Sequence, residues 1–389
     1  MKVFERSEFE GRLAEVRHRM ADLDLDALVC TNPANMNYLT GYDGWSFYVH
    51  QCVVISHDRP PLWIGRRQDA AGARATVYMS HDDIIGYPDD YVQNREKHPY
   101  SFVAGQLTTM GLDHGTIGVE SDTYYYSAAA DAALRAGLPN AAIIDSGTLV
   151  NWVRAIKSDA EIALMRQAAQ IAEASMRAAI DAISPGTRQC DAVAEIMRTQ
   201  IGGTAEFGGD YTSIVPLLPT GKSVGAPHLT WSDTPFQEGE GTIIELAGCR
   251  HRYHCPLART IFLGTPPMAW SETAQVVVEG VNAALDVARP GATCEEVEAA
   301  WRAVINSHGI DKDSRLGYSI GLNYPPDWGE HTMSLRAGDR TVLKPNMTFH
   351  LIPGIWQDLL GIEISEAFHV TESGAERFTA LEQTLFVKS

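Results

Sequence analysis

Glu245 lies in the apolar run Thr242 to Gly264, TIIELAGCRHRYHCPLARTIFLG, which reads as strand. A carboxylate held against an electrophilic carbon can attack it, or can act as a base on water. Upstream, Ala226-Pro227-His228 offers an imidazole whose ordinary pKa of about 6.5 suits proton transfer near neutrality. The strand-like runs Met347 to Ile352 and Leu360 to Val370 carry His350 and Glu363. On a strand, residues two apart share a face, so His350 points with Ile352 and Glu363 with Ser365, while Glu366 points away and serves structure. Asp43-Gly44-Trp45-Ser46-Phe47-Tyr48 is richer in aromatics than a turn needs. Trp45 or Phe47 could stack on a cationic ligand, a contact of about 0.5–2 kcal/mol.

These residues need two domains to position them, the expectation for 389 residues. Residues 8–22 form an amphipathic helix, with Phe9, Leu13, Val16 and Met20 spaced by three and four. Asp26 to Cys30 reads as strand, Thr31-Asn32-Pro33-Ala34-Asn35 as turn, and Cys52 to Ile55 as strand. Residues 1–155 are therefore expected to form an α/β domain. Ser158-Asp159-Ala160-Glu161 is a capping box, and it opens a long helix to Asp181 in a second, α+β domain of residues 156–389. Within that domain Ser184-Pro185-Gly186-Thr187 and Arg289-Pro290-Gly291-Ala292-Thr293 each open a helix, and strand-like runs follow each. The spacing, about a hundred residues, exceeds the period of a solenoid and implies a duplicated half-domain, with the site between the halves.

The order Glu245-Leu246-Ala247, Tyr253, Arg259-Thr260 resembles the signature of the pita-bread family: creatinase, prolidase, aminopeptidase P and methionine aminopeptidase. Arg154-x-Ile156-Lys157-Ser158, Asn32-Pro33, Tyr38-x-x-Gly41 and Gly317-Tyr318-Ser319-Ile320-Gly321-Leu322 extend the resemblance over essentially the whole chain. It implies a creatinase-like N-terminal domain followed by a pita-bread domain of two similar halves. The metal-dependent members hold two ions through two Asp, one His and two Glu. Those positions fall here on Glu245, Pro256, Tyr318, Ile352 and Ser365, and neither proline nor isoleucine can ligate a cation. The expectation is therefore no metal and no cofactor, with His350, Glu363 and Tyr318 lining the altered site as substrate-binding residues.

Creatinase is the metal-free precedent in this family, and its catalytic acid/base histidine corresponds to His228. Together with Glu245 and Gly41-Tyr42-Asp43-Gly44-Trp45, this most resembles the ectoine hydrolases of the creatinase-like branch, which open a cyclic amidine. The resemblance implies Glu245 and His228 as catalytic residues and a small cationic or zwitterionic substrate. It also implies a homodimer in which residues 42–48, including Trp45 and Phe47, reach the partner's pocket. A carboxylate against an amidinium is expected to keep a low pKa. Another small guanidino or amidine compound, or a non-catalytic binding protein on the same scaffold, are the alternatives.

Composition narrows the partners. With 31 Lys plus Arg against 49 Asp plus Glu, the net charge of −18 disfavours nucleic acid and anionic lipid surfaces. The charged N-terminus lacks the apolar core of a signal peptide, and no run reaches the roughly 18 apolar residues of a membrane span, so a cytoplasmic location is expected. Six cysteines without a CxxC pair read as reduced, structural thiols.

Overall fold

The computed structural model describes residues 3–357 and 359–389 and divides into two compact units, Met1–Arg154 and Ala155–Ser389. The first opens with α1 (Arg6–Asp22), which buries Phe9, Leu13, Val16 and Met20 as their spacing requires. Its six-stranded mixed sheet has β1 (Ala27–Cys30) and β5 (Thr116–Val119) at the centre. Beyond β1 lie β2 (Cys52–Ser56), β3 (Leu62–Arg66) and β4 (Ile84–Tyr87), and β6 (Ala142–Asp145) flanks β5. Val29, Val54, Ile64, Ile117 and Val119 enter its core with Tyr100, Leu107 and Leu134, which come from α4 (Pro99–Thr109) and α5 (Ala128–Gly137).

One stretch read as turn is helical. Proline at the first helical position forfeits only a donor that has no intrahelical partner, and Asn32 caps Ala34 N–H at 2.9 Å, so α2 runs Pro33–Thr40. Gly41 ends it in the left-handed conformation, at φ 78°. The unsatisfied N–H groups leading into α2 serve a purpose: Glu120, buried, accepts from Thr31 N at 2.6 Å, Asn32 N at 2.8 Å and Asn35 Nδ2 at 2.5 Å. Arg154 completes the network by donating to Asn35 Oδ1 at 2.6 Å. The Asn32-Pro33 motif thus holds a buried carboxylate in the N-terminal unit.

The second unit repeats one plan. In its first half α7 (Asp159–Ala182) and α8 (Gln189–Gly202) precede the long hairpin of β7 (Gly241–Arg250) and β8 (Tyr253–Leu263). In its second half α9 (Met268–Val287) and α10 (Cys294–Ser307) precede β9 (Gly317–Ile320), β10 (Gly329–Leu335) and β11 (Thr348–Leu351). The hairpin of β12 (Gly354–Gln357) and β13 (Leu360–Glu363) follows, then β14 (Glu366–Thr371) and β15 (Gly374–Arg377). The run Leu360 to Val370 is therefore two strands in different sheets, because at Ser365 the backbone leaves one sheet and donates to Ala258 O at 3.1 Å.

Helix α7 begins at the capping box, with Ser158 and Glu161 bonded reciprocally. Glu161 also accepts from the buried Tyr253 hydroxyl at 2.7 Å, which accounts for the tyrosine of the signature. The helix packs directly on β7, where a Cβ on Gly248 would stand 1.9 Å from Ala168 O. Lys157 and Glu330 form a fully buried ion pair at 2.6 Å against Gly321, whose absent side chain leaves them room. None of the six cysteines forms a disulfide.

Candidate active site

Three segments converge on the centre of the second unit. On β7, Glu245 lies opposite Ala258 of β8, and its backbone pairs on the other side with Leu217. Ala258 N–H in turn donates to Ser365 Oγ at 2.7 Å. One step along β8, the Thr260 hydroxyl accepts from Glu363 N at 2.8 Å and donates to Glu363 O at 3.1 Å. Both carboxylates are thereby fixed against one hairpin by backbone register.

Their electrostatics are unusual. Glu245 is pushed up to about 7 by burial and by the neighbouring Asp327, and its carboxylate has no hydrogen bond from a described residue. Glu363 is raised well above the usual carboxylate range by burial and by Glu245, against the pull of Lys312. Its Oε1 is buried with no partner. Two such groups cannot both carry charge cheaply in a dry site, so the pair favours holding a proton or a cation. The low pKa expected for Glu245 belongs to a carboxylate already against a cation; in the protein alone desolvation dominates and the direction reverses.

A directed chain of hydrogen bonds lies beside them. The Trp328 indole can only donate, and it does so to Tyr318 Oη at 2.8 Å. Tyr318 and His350 are cross-strand partners on β9 and β11, and Tyr318 Oη lies 3.1 Å from His350 Nδ1. Burial lowers His350 to about 3, so its ring is neutral, and with Nδ1 accepting, Nε2 donates to Ser365 Oγ at 2.9 Å. Ser365 already accepts from Ala258, so its own hydrogen is left to point elsewhere. Tyr318, His350 and Ser365 are thus joined by hydrogen bonds, and Glu363 is tied to the site through Thr260 and its coupling to Glu245.

The structure also brings in residues that the sequence reading missed. Asp327 accepts from Gly329 N at 2.9 Å and His331 Nε2 at 2.8 Å, and its carboxyl stays below the usual range through these bonds, against burial. Lys312, nearly buried, is lowered to about 8 by desolvation, with Glu363 opposing. Neither residue belongs to a periodic pattern that could have marked it. Glu366 is structural, bonded by Arg259 at 2.8 Å with both side chains fully buried.

The remaining candidates are His228 and residues 42–48. His228 is exposed, at a left-handed φ of 66°, and its ring has no hydrogen bond or ion pair among the described residues. Its loop is tied back only through Leu229 O, which accepts from Leu218 N at 2.8 Å. The segment 42–48 is not uniformly presented either. Tyr42 is buried against Trp63 and donates to Gln51 Oε1 at 2.9 Å, whereas Trp45 is 57% exposed and packs on Phe47 at 4.8 Å between centroids.

The donor set does not fit a pair of hard divalent ions. At the five positions stand one carboxylate, a proline, a phenol held neutral by burial, an isoleucine and a serine already bonded twice. No cluster of three His, Cys, Asp or Glu able to hold a metal occurs among the described residues.

A duplicated α+β unit with carboxylates on the central hairpin, preceded by a separate α/β unit, is the architecture of the pita-bread hydrolases. The chain belongs to metallopeptidase family M24, matched over residues 163–372, with a creatinase/prolidase N-terminal domain over residues 12–156. It is 47% identical to the ectoine hydrolase of Halomonas elongata, over 99% of this chain and 98% of that protein. An uncharacterized hydrolase/peptidase of Sinorhizobium fredii is 44% identical, with the same coverage. The crystal structure of dipeptidase PepE from Mycobacterium ulcerans superposes with a TM-score of 0.82 at 22% identity, covering 99% of both chains. Among the described residues, no helix is long and apolar enough to cross a membrane.

Proposed function

We propose that this protein is a metal-independent hydrolase that opens the cyclic amidine of ectoine and hydroxyectoine to an N-acetylated 2,4-diaminobutyrate. The observation that carries the reading is the buried, electrostatically coupled pair Glu245 and Glu363, both raised by burial, with Glu363 Oε1 lacking a hydrogen-bond partner. A delocalised amidinium is a planar cation with two N–H edges, the partner such a pair lacks. The 47% identity to an ectoine hydrolase over nearly the whole chain supports the same substrate class.

In this reading Glu245 forms a C–O bond to the carbon between the ring nitrogens. The C–N bond then breaks, the departing nitrogen takes a proton, and water releases the acetylated product from Glu245. His228 is the proposed proton donor; its exposed loop would have to fold onto the substrate. The test is ectoine turnover by purified protein with and without chelator. Unchanged turnover in chelator is expected. Activity lost with chelator and restored by a divalent ion would overturn metal independence, and no turnover at all would leave a binding protein.

We also propose a homodimer in which the exposed Trp45 and half-buried Phe47 of one chain cover the other chain's substrate. Mixing Trp45→Ala with His228→Ala should then yield heterodimers with one intact site and partly restored activity. Verified heterodimers that stay inactive would place every essential residue in a single chain.

A further inference from the structure

The proposed substrates are zwitterions, and the carboxylate pair accounts for only their positive end. We propose that Arg315 binds the substrate's carboxylate and makes the site selective for cyclic amidines that carry one. This assignment rests on the reading of the site as a cyclic-amidine hydrolase.

Arg315 is held at the edge of the cluster by Tyr318, a member of the hydrogen-bond chain, and by that residue's neighbour on β10. Ser334 of β10 lies opposite Tyr318 of β9. The guanidinium stacks over the Tyr318 ring, with Cζ 4.4 Å from the centroid, and donates one N–H to Ser334 Oγ at 3.1 Å. A face on an aromatic ring and one bond to a neutral hydroxyl fix its position while leaving the rest of its planar fork to bind a ligand.

What it lacks is a counter-ion. Among the described residues no carboxylate lies within ion-pair distance of Arg315, in a chain with a net charge of −18. Of the arginines that line a cavity with it, Arg302 is paired with Glu298, while Arg336 has no ion pair among the described residues but does not stack on the Tyr318 ring. The charge of Arg315 nonetheless reaches the site, since it helps to keep His350 neutral and the Asp327 carboxyl ionised. The other cation of the cluster, Lys312, is turned to Glu363 and to the Trp356 ring at 5.1 Å. The cluster is therefore dipolar: acidic at Glu245 and Glu363, basic beyond Tyr318. A zwitterion has one orientation that satisfies both ends.

The experiment compares wild type, Arg315→Leu and Arg315→Lys on ectoine and on the same methylated ring lacking its carboxylate. For Arg315→Leu the KM for ectoine should rise about ten- to a hundredfold, the loss expected for a charge-assisted, bidentate pair, with a smaller change in kcat. Arg315→Lys should recover part of that loss. The kcat/KM for the decarboxylated ring should be the same in all three proteins, which a merely structural role would not allow. An ectoine KM within twofold of wild type in Arg315→Leu, or equal losses on both rings, would overturn the assignment. A wild-type protein that opens neither ring overturns the hydrolase reading, and Arg315's role with it.

Discussion

Replacing Glu245 by Gln is expected to abolish ring opening, with kcat falling on the order of a thousandfold or more, as for loss of a nucleophile. Glutamine keeps the volume and the strand, so the loss isolates the carboxylate's charge and nucleophilicity. Quenched wild-type enzyme should carry a substrate-sized adduct on the peptide containing Glu245, visible by mass spectrometry. Turnover retained in Glu245→Gln would remove this residue from the chemistry. Absence of an adduct under single-turnover conditions would leave it as a base or an anchor.

The raised pKa gives the same substitution two further signatures. Attack requires the ionised form, so kcat/KM, which reports the free enzyme, should fall as pH drops through about 7. Binding the cation should pull the group back to its ionised form and release a proton. Stability runs the other way. The folded protein holds this proton to about 7, whereas an unfolded carboxylate loses it near the usual 4.5. The stabilising contribution is complete below the unfolded value and is lost as pH rises from 4.5 to about 7. Glu245→Gln should therefore melt a few degrees above wild type at pH 8, on the order of 1–3 kcal/mol, and match it at pH 4.5. Coincident melting curves at both pH values would mean that Glu245 is not buried as a charge.

The largest stability loss is expected at Arg259. Its guanidinium donates to Glu366 at 2.8 Å and to four carbonyls: Glu382 at 2.8 Å, Ala258 at 2.8 Å, Ser365 at 2.6 Å and Leu381 at 3.1 Å. Arg259→Met would strand Glu366, itself raised by burial, and leave Arg377, Thr379 and Gln383 to answer it. Breaking one side of a buried pair costs about 3–5 kcal/mol, and the orphaned carbonyls add to it. The urea midpoint should fall accordingly, while Arg188→Met, which removes an exposed pair with Asp191, should leave it where it was. Equal midpoints for Arg259→Met and wild type would show that the network contributes nothing net. Because Arg259 also fixes Ser365 O, surviving protein should lose activity as well.

Local patterns made much of this legible in the sequence. The capping box at Ser158 starts α7 where it was expected, whereas the change of sheet at Ser365 breaks the period-two pattern read through Glu363 and Ser365. Motif residues such as Tyr253, Lys157 and Gly321 could be located, but not explained, because their partners Glu161 and Glu330 come from distant segments. Asp327 and Lys312 were hidden for a related reason: each sits outside any repeating pattern and gains its meaning from carboxylates far along the chain. The exposure of His228 was equally invisible, since a proline-histidine turn looks the same in sequence whether it faces a ligand or water.

The short strand β16 (Phe386–Lys388) runs parallel to β8 on the side away from β7, pairing Phe386 with Ile261 and Lys388 with Leu263. Lys388 also places its ammonium on the carbonyls of Ile180 and Asp181 at the end of α7. Three residues thus act as a seal: they occupy the outer backbone of β8 beyond Arg259 and close the last turn of α7. Trimming them would uncover a row of unmet amides next to the apolar Ile261, Phe262 and Leu263, a ready template for strand-to-strand association between molecules. The shielding of this sheet edge is thus carried by a segment that holds none of the residues proposed to bind substrate.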